Sequence, residues 1–291
     1  MEIYSGENGI ITLNDPRYPK SLKSIPDAPE QLYYKGTWDE SLFENCLAVV
    51  GSRRMTTYGK QITEKLVSQI ASAGITIVSG FMYGIDGQAH QSCLDVGGRT
   101  IAVMPCGINK ICPQYHDILY RDILENNGLI ISEFPPDQTS LYWMFPRRNR
   151  TVAGLSKATL VIEAGEKSGS LITADLTKKF NKKVFAVPGP LTSILSKGTS
   201  QLIKEGAEIV TCAEDVINYF KIKKIKNNNL NFNFNKNKLD DIIFQELQRE
   251  PLEMDILSRK TGKSIAEISS AISMMQIKGI IRSEYGKYYV C

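Results

Sequence analysis

The sequence predicts an α/β protein with a doubly wound parallel sheet, followed by a small C-terminal domain of three helices and a β-ribbon. Three observations predict it. Short apolar runs alternate with helical periods through residues 46–205. Each run is hydrophobic at consecutive positions, as a strand covered by helices on both faces must be. An Asn- and Lys-rich stretch then separates this region from three further helical periods.

Residues 10–44 precede the first strand–helix unit. Pro16, Pro19, Pro26 and Pro29 break them into short extended pieces, expected to pack on a sheet edge. The first strand is read at 46–52 (CLAVVGS), followed by a helix at 58–73. A second strand at 75–80 (ITIVSG) leads to a helix at 85–96. Strands at 100–106 (TIAVMPC), 128–133 (GLIISE), 158–164 (ATLVIEA) and 182–188 (KKVFAVP) follow, with helices at 169–180 and 198–205. Strands alternating with helices give a parallel sheet. The segment 221–238, KIKKIKNNNLNFNFNKNK, loses periodicity after about residue 226 and reads as a flexible linker. It divides a core at 1–220 from a domain at 239–291. That domain reads as helices at 240–249, 253–260 and 264–278, then a ribbon turning at Tyr285-Gly286, which is the winged-helix pattern. Its third helix contains Glu267 and Lys278, with Lys263 just before it. DNA-reading helices are richer in Arg, Lys, Asn and Gln, so a packing or protein-contact role is expected.

The chain has 291 residues, 42% hydrophobic and 23% charged, enough for one large core and a second small one. No apolar run reaches membrane-spanning length, and the N-terminal residues lack a basic-then-apolar signal pattern. The six cysteines form no C-x-x-C pair, and His90 and His116 complete no metal-ligand pattern. A reduced, cytoplasmic protein without metal or cofactor is expected. The net charge of +4 comes from the linker, which carries six Lys and no acid; the remainder holds 29 basic against 31 acidic residues, a net of −2. A polyanion site must therefore be a local cluster.

One such cluster is Phe145-Pro146-Arg147-Arg148-Asn149-Arg150, just after Tyr142 and Trp143. Fixed cations beside aromatic faces suit a flexible polyanion whose bases can stack, although a charge run is equally a solvated patch. Ligands of open α/β sheets bind beyond the C-terminal ends of the strands. Three such ends share Gly and Ser. They are Gly51-Ser52-Arg53, Ser79-Gly80 with Gly84-Ile85-Asp86, and Gly165 with Ser168-Gly169-Ser170-Leu171 opening a helix. Glycine admits a ligand to the backbone, helix N-termini bind oxyanions, and Arg53 can fork onto a phosphate. Neither G-x-x-x-x-G-K-[ST] nor G-x-G-x-x-G is present, which disfavours an NAD or ATP enzyme. Asp86 and His90 share a helix face, as an acid–base pair or as a cap and a packed imidazole. Leu202 and Ile203, in TSQLIKE (199–205), read as a dimer contact or as packing onto their own sheet.

The stretches YPKSLKSIPDAPEQLYYKG (18–36), AVVGSRRMTTYG (48–59), SGFMYGIDGQAH (79–90), FPRRNRTVAGLS (145–156), SGSLITA (168–174) and VPGPLTSILSKGTSQLIKEGA (187–207) resemble the DprA/Smf family of DNA-processing proteins, in order over about residues 10–220. The resemblance implies an extended Rossmann fold that binds single-stranded DNA without sequence preference and protects it. It also implies dimerisation, and loading of RecA recombinase in natural transformation and recombination, without enzymatic activity. By the same resemblance, DNA contacts fall on Gly51, Ser52 and Arg53, on Arg147, Arg148, Asn149 and Arg150, and on Ser168 to Leu171. Phe81-Met82-Tyr83 and Cys112-Pro113…His116 depart from the family pattern, and little precedes residue 10. Two alternatives belong to other classes. A nucleoside-phosphate N-glycosidase would carry P-G-G-x-G-T, where Glu163-Ala164-Gly165-Glu166-Lys167-Ser168 stands instead. A duplex-DNA regulator would act through the winged helix, whose third helix is poor in cations.

Overall fold

The computed structural model describes residues 8–222, 238–277, 280–284 and 286–290. The chain forms two units, Met1–Ile225 and Lys226–Cys291. In the first, β1 (Asn8–Thr12) and β2 (Gln31–Gly36) pair antiparallel, with the short α1 (Lys20–Lys23) between them. β2 in turn pairs antiparallel with a strand of the main sheet, so the proline-broken region does lie on the sheet edge.

The six apolar runs become β3 (Cys46–Val50), β4 (Thr76–Ser79), β5 (Thr100–Val103), β6 (Leu129–Ser132), β7 (Ala158–Val161) and β8 (Lys183–Ala186), all mutually parallel. A two-residue β9 (Glu208–Ile209) follows, and among the described residues the sheet order is β1-β2-β6-β5-β4-β3-β7-β8-β9. Alternate residues of these strands enter separate cores. Ala48 and Val50 belong to one cluster, with Ile101, Val103, Leu129 and Ile131; Leu47 and Val49 belong to another, with Ile77, Leu160 and Phe185. Burying each such side chain is worth about 1.5–3 kcal/mol, which explains why the runs are apolar on both faces.

The expected helices appear as α2 (Thr57–Ser72), α3 (Ile85–Leu94), α6 (Gly169–Lys179) and α7 (Lys197–Lys204). Besides α1, three more helices go beyond those the sequence predicts: α4 (Asp117–Glu125), α5 (Met144–Leu155) and α8 (Ala213–Phe220). α2, α3 and α8 cover one face of the sheet, and α5, α6 and α7 cover the other. The sheet order departs in opposite directions from β3, toward β4 on one side and β7 on the other. Connections that diverge there leave a crevice beyond the strand ends, the general ligand position of open α/β sheets.

The second unit holds α9 (Lys238–Arg249), α10 (Met254–Thr261) and α11 (Ile265–Ile277), then the antiparallel β10 (Ile281–Glu284) and β11 (Lys287–Val290). Ile243, Leu247, Leu257, Ile268, Ile272 and Met275 form its own core. This is the winged-helix arrangement. Most of the expected linker, 221–238, lies outside the described residues, as does Lys278. No helix among the described residues is long and apolar enough to cross a membrane.

Candidate nucleic-acid interface

A cleft of about 730 Å³ opens at the divergence point, beyond the ends of β3 and β7. Gly51, Ser52 and Arg53 form one wall, Ser168, Gly169 and Ser170 another, and Phe145, Arg148 and Asn149 of α5 a third. The three glycine- and serine-containing strand ends therefore meet, since Gly80 and Asp86 also line it. Its charged lining is Arg53, Arg54, Arg148 and Lys167 against the single carboxylate of Asp86. A core that is slightly acidic overall thus concentrates cations in one place.

The β3–α2 loop is pinned at Ser52. The Ser52 N–H donates to the Glu163 carbonyl at 2.7 Å, and the Ile85 N–H donates to the Ser52 carbonyl at 3.1 Å. The Arg54 N–H donates to Ser52 Oγ at 3.1 Å. Between these bonds Arg53 is exposed, its guanidinium 5.2 Å from the centre of the Phe145 ring. Ser168 is the N-cap of α6, its Oγ 2.7 Å from Ser170 Oγ, and Gly169 beside it is open to solvent. That helix end presents the positive end of a helix dipole, with the Ser170 N–H capped by Ser168 Oγ at 3.4 Å and the Leu171 N–H donating to the Ser168 carbonyl at 3.1 Å.

The arginine run is helical, and the helix divides it. Arg147 is 54% exposed, 3.6 Å from Glu133 and 5.9 Å from the Trp143 ring. Arg148 is 3% exposed and donates to the carbonyls of Gly80 and Val103, tying the ends of β4 and β5 together. Burial pulls its pKa down to about 10, so it stays cationic at neutral pH. Arg150 is 8% exposed, donates to the Asp27 carbonyl and Glu133, and lies 2.8 Å from the Asp27 carboxylate. Arg150, expected at a DNA contact, thus has its guanidinium held inside the protein, where it does not line the cleft. Leu171, expected at the same turn, packs against the sheet core and lines a neighbouring groove. Asn149 does line the cleft, and its Nδ2 donates to the Gly169 carbonyl at 3.3 Å, linking α5 to α6.

Asp86 and His90 do not form an acid–base pair. Asp86 accepts from the N–H groups of Met82 and Gly80, and burial pushes its pKa up to about 6 against the neighbouring Arg148. A side chain on Gly80 would strike both the Arg148 guanidinium and the Asp86 carboxylate at 2.5 Å, so the pair converges over this glycine. His90 turns to the sheet, 2.6 Å from Thr100 Oγ1, and burial lowers its pKa to about 3. Thr100 Oγ1 already donates to the Ile77 carbonyl, so the imidazole is the donor to it. Of the departures noted above, Phe81 is fully buried beside His116 and Tyr120, with φ 59. Leu202, expected at a dimer contact, is 3% exposed and belongs to the core of its own chain; Ile203 is half-buried against the same cluster. Among the described residues no group of three or more His, Cys, Asp or Glu could hold a metal.

Glu133 and Glu163 are the participants whose roles sequence reasoning left unassigned. Each follows a strand, and each is buried against elements that border the cleft: Arg147, Arg150 and Thr151 of α5 for Glu133, Thr56 at the start of α2 for Glu163. An acid closing an otherwise apolar strand was the available signal.

Fold and site define an open α/β protein with a basic cleft at its topological switch point, joined to a winged helix. Residues 9–221 match the model of the DNA recombination-mediator protein A family, and residues 234–287 match the DprA winged helix domain. The chain belongs to the DprA/Smf family of recombination mediators. It is 35% identical to protein Smf of Escherichia coli over 286 residues, covering 96% of this chain and 76% of that protein. It is 41% identical to the DNA processing protein DprA of Streptococcus pneumoniae over 211 residues, 72% of this chain and 74% of that one. The X-ray structure of Streptococcus pneumoniae DprA superposes with a TM-score of 0.69 at 38% identity, covering 73% of this chain and 74% of that one. Helicobacter pylori DNA processing protein A, whose solved structure concerns its single-stranded DNA binding mode, gives 0.63 at 34% identity, with 73% and 95% covered.

Proposed function

We propose that the cleft binds single-stranded DNA without sequence preference, and that the protein protects the strand and loads RecA recombinase onto it during DNA uptake and recombination, as a non-enzymatic mediator. The observation that carries this is the charge balance of the cleft: four cations and one carboxylate at the switch point of a core that is otherwise slightly acidic. Exposed Tyr142 and Trp143 stand beside it, and flat aromatic faces stack any base. The contacts proposed are Ser52 and Arg53, the exposed Arg147, the cleft-lining Arg148 and Asn149, and the N-terminal turn of α6 from Ser168 to Ser170. The single-stranded DNA binding described for the Helicobacter pylori relative supports the same reading. A homodimer formed through the α7 edge, around Ile203, completes the proposal.

The glycosidase alternative finds no available carboxylate where Glu163 stands, because both its oxygens accept from Thr56. The winged helix is proposed as a protein contact. The exposed residues of α11 include Ile265, Glu267 and Met274, and Lys263 beside it lies 3.3 Å from Glu267. The test is binding of single- and double-stranded oligonucleotides over a salt series, with a nucleoside monophosphate hydrolysis assay beside it. Strong single-strand preference and steep salt dependence support the proposal, and hydrolysis would redirect it.

A further inference from the structure

The Gly51–Thr56 loop carries Arg53, and what holds it is a carboxylate from another part of the chain. Glu163 lies just beyond β7 and is 3% exposed. Its Oε2 accepts the Thr56 N–H at 2.9 Å, its Oε1 accepts the Thr56 hydroxyl at 2.6 Å, and its carbonyl accepts the Ser52 N–H at 2.7 Å. One residue thus grips the loop on both sides of Arg53. Thr56 is also the N-cap of α2, its Oγ1 accepting the Gly59 N–H at 3.1 Å, so the carboxylate sits at the positive end of that helix. Space has been left for it. A Cβ on Gly59 would lie 2.1 Å from Glu163 Oε2, which explains the glycine that closes GSRRMTTYG.

We propose that Glu163 is a positioning residue for polyanion binding, its buried carboxylate holding the Gly51–Thr56 loop so that Arg53 meets a phosphate of the strand. This rests on the single-stranded DNA reading of the cleft and adds to it the residue that sets the cation's place. A carboxylate close to a phosphate site is at first sight unfavourable. Coulomb's law alone makes its neutralisation tighten binding. Positioning makes the same change weaken binding, so the sign of the effect separates the two.

The experiment measures single-stranded oligonucleotide binding over a salt series for the full chain and for Glu163→Gln, Gly59→Ala, Arg53→Ala and Glu163→Gln/Arg53→Ala, with thermal melts of each. Glu163→Gln removes the charge at constant shape. Gly59→Ala displaces the carboxylate at constant charge and keeps the test available if the first variant folds poorly. Both are expected to weaken binding about tenfold, as the loss of one charge-assisted hydrogen bond does, and to lower the slope of log K against log salt by about 0.7, as loss of one phosphate contact from a single strand does. In the Arg53→Ala background Glu163→Gln should have no further effect, an outcome that general damage to the fold would not give. Unchanged or tighter binding by Glu163→Gln, disagreement between Glu163→Gln and Gly59→Ala, or an equal loss with and without Arg53 overturns the proposal. If Arg53→Ala itself binds like the parent, the reading of the cleft fails together with it. If only the Glu163 and Gly59 variants bind like the parent, the cleft reading stands and the positioning role falls.

Discussion

Arg147 and Arg150 are three positions apart, yet the structure gives them opposite tasks, and replacing each by alanine tests this directly. Arg150 is buried against Glu133, whose side chain is buried as well, and Asp27. Removing one member of a buried pair costs about 3–5 kcal/mol, because the partner's charge is left in the interior. Glu133 would keep the Thr151 hydroxyl and the more distant Arg147, which places Arg150→Ala at the lower end, about 3 kcal/mol. In a core of this size that lowers the melting temperature by roughly 6–12 °C. Arg147→Ala removes a half-exposed guanidinium that makes a 3.6 Å contact to Glu133 and lies 5.9 Å over the Trp143 ring, contacts of a solvated cation that contribute little to stability. Its melt should match the parent within a degree or two, while its salt slope for single-stranded DNA falls by about 0.7. Differential scanning calorimetry beside fluorescence-anisotropy titrations reads both quantities. The division is refuted if Arg150→Ala melts with the parent, or if Arg147→Ala loses stability and keeps its salt slope.

Asp86 lines the cleft, burial pushes its pKa up to about 6, and in its ionised form it repels an incoming phosphate. Affinity for single-stranded DNA should therefore rise as pH falls from 7.5 to 5.5, by up to about tenfold for each pK unit that the bound phosphate adds; a profile no flatter in Asp86→Asn would show another group responsible. The folded-state pKa lies above the ordinary value of 3.8, so the associated stability is fully present below pH 4 and is lost as pH rises through about 6. Leu202→Ala should cost about 2–5 kcal/mol in denaturant melts, as for any buried leucine, whereas Ile203→Glu should leave a folded monomer by sedimentation; a stable dimer would contradict the proposed contact. Deleting residues 226–291 should leave a core that unfolds cooperatively and still binds single-stranded DNA, since the two units are built on separate clusters; a non-cooperative melt would show that the core depends on the second unit.

The parallel strands were legible because burial on both faces leaves an uninterrupted apolar run, and CLAVV or TIAV admits little else. The Gly-Ser strand ends were legible as parts of one candidate site because that composition suits close backbone approach, and all three do meet in the cleft. The arginine helix was not. Pro146 and three cations in a row of four read as a charged segment, but proline is tolerated in the first turn, where its missing N–H would have no acceptor. Nor could the sequence tell Arg147 from Arg150, because the partners that sort them, Glu133 and Asp27, come from distant stretches of chain. Leu202 and Ile203 were ambiguous for a related reason: an apolar pair on a short edge helix has the same pattern whether it faces a partner or its own sheet.

The most direct test of the central claim is the affinity of the parent and of Arg53→Ala for single- and double-stranded oligonucleotides of equal length, across a salt series. The account predicts a strong single-strand preference that does not vary with sequence, a steep salt slope, and a slope shallower by about 0.7 in the variant. Equal affinity for the two forms, or an Arg53→Ala protein that binds as the parent does at every salt concentration, would contradict it.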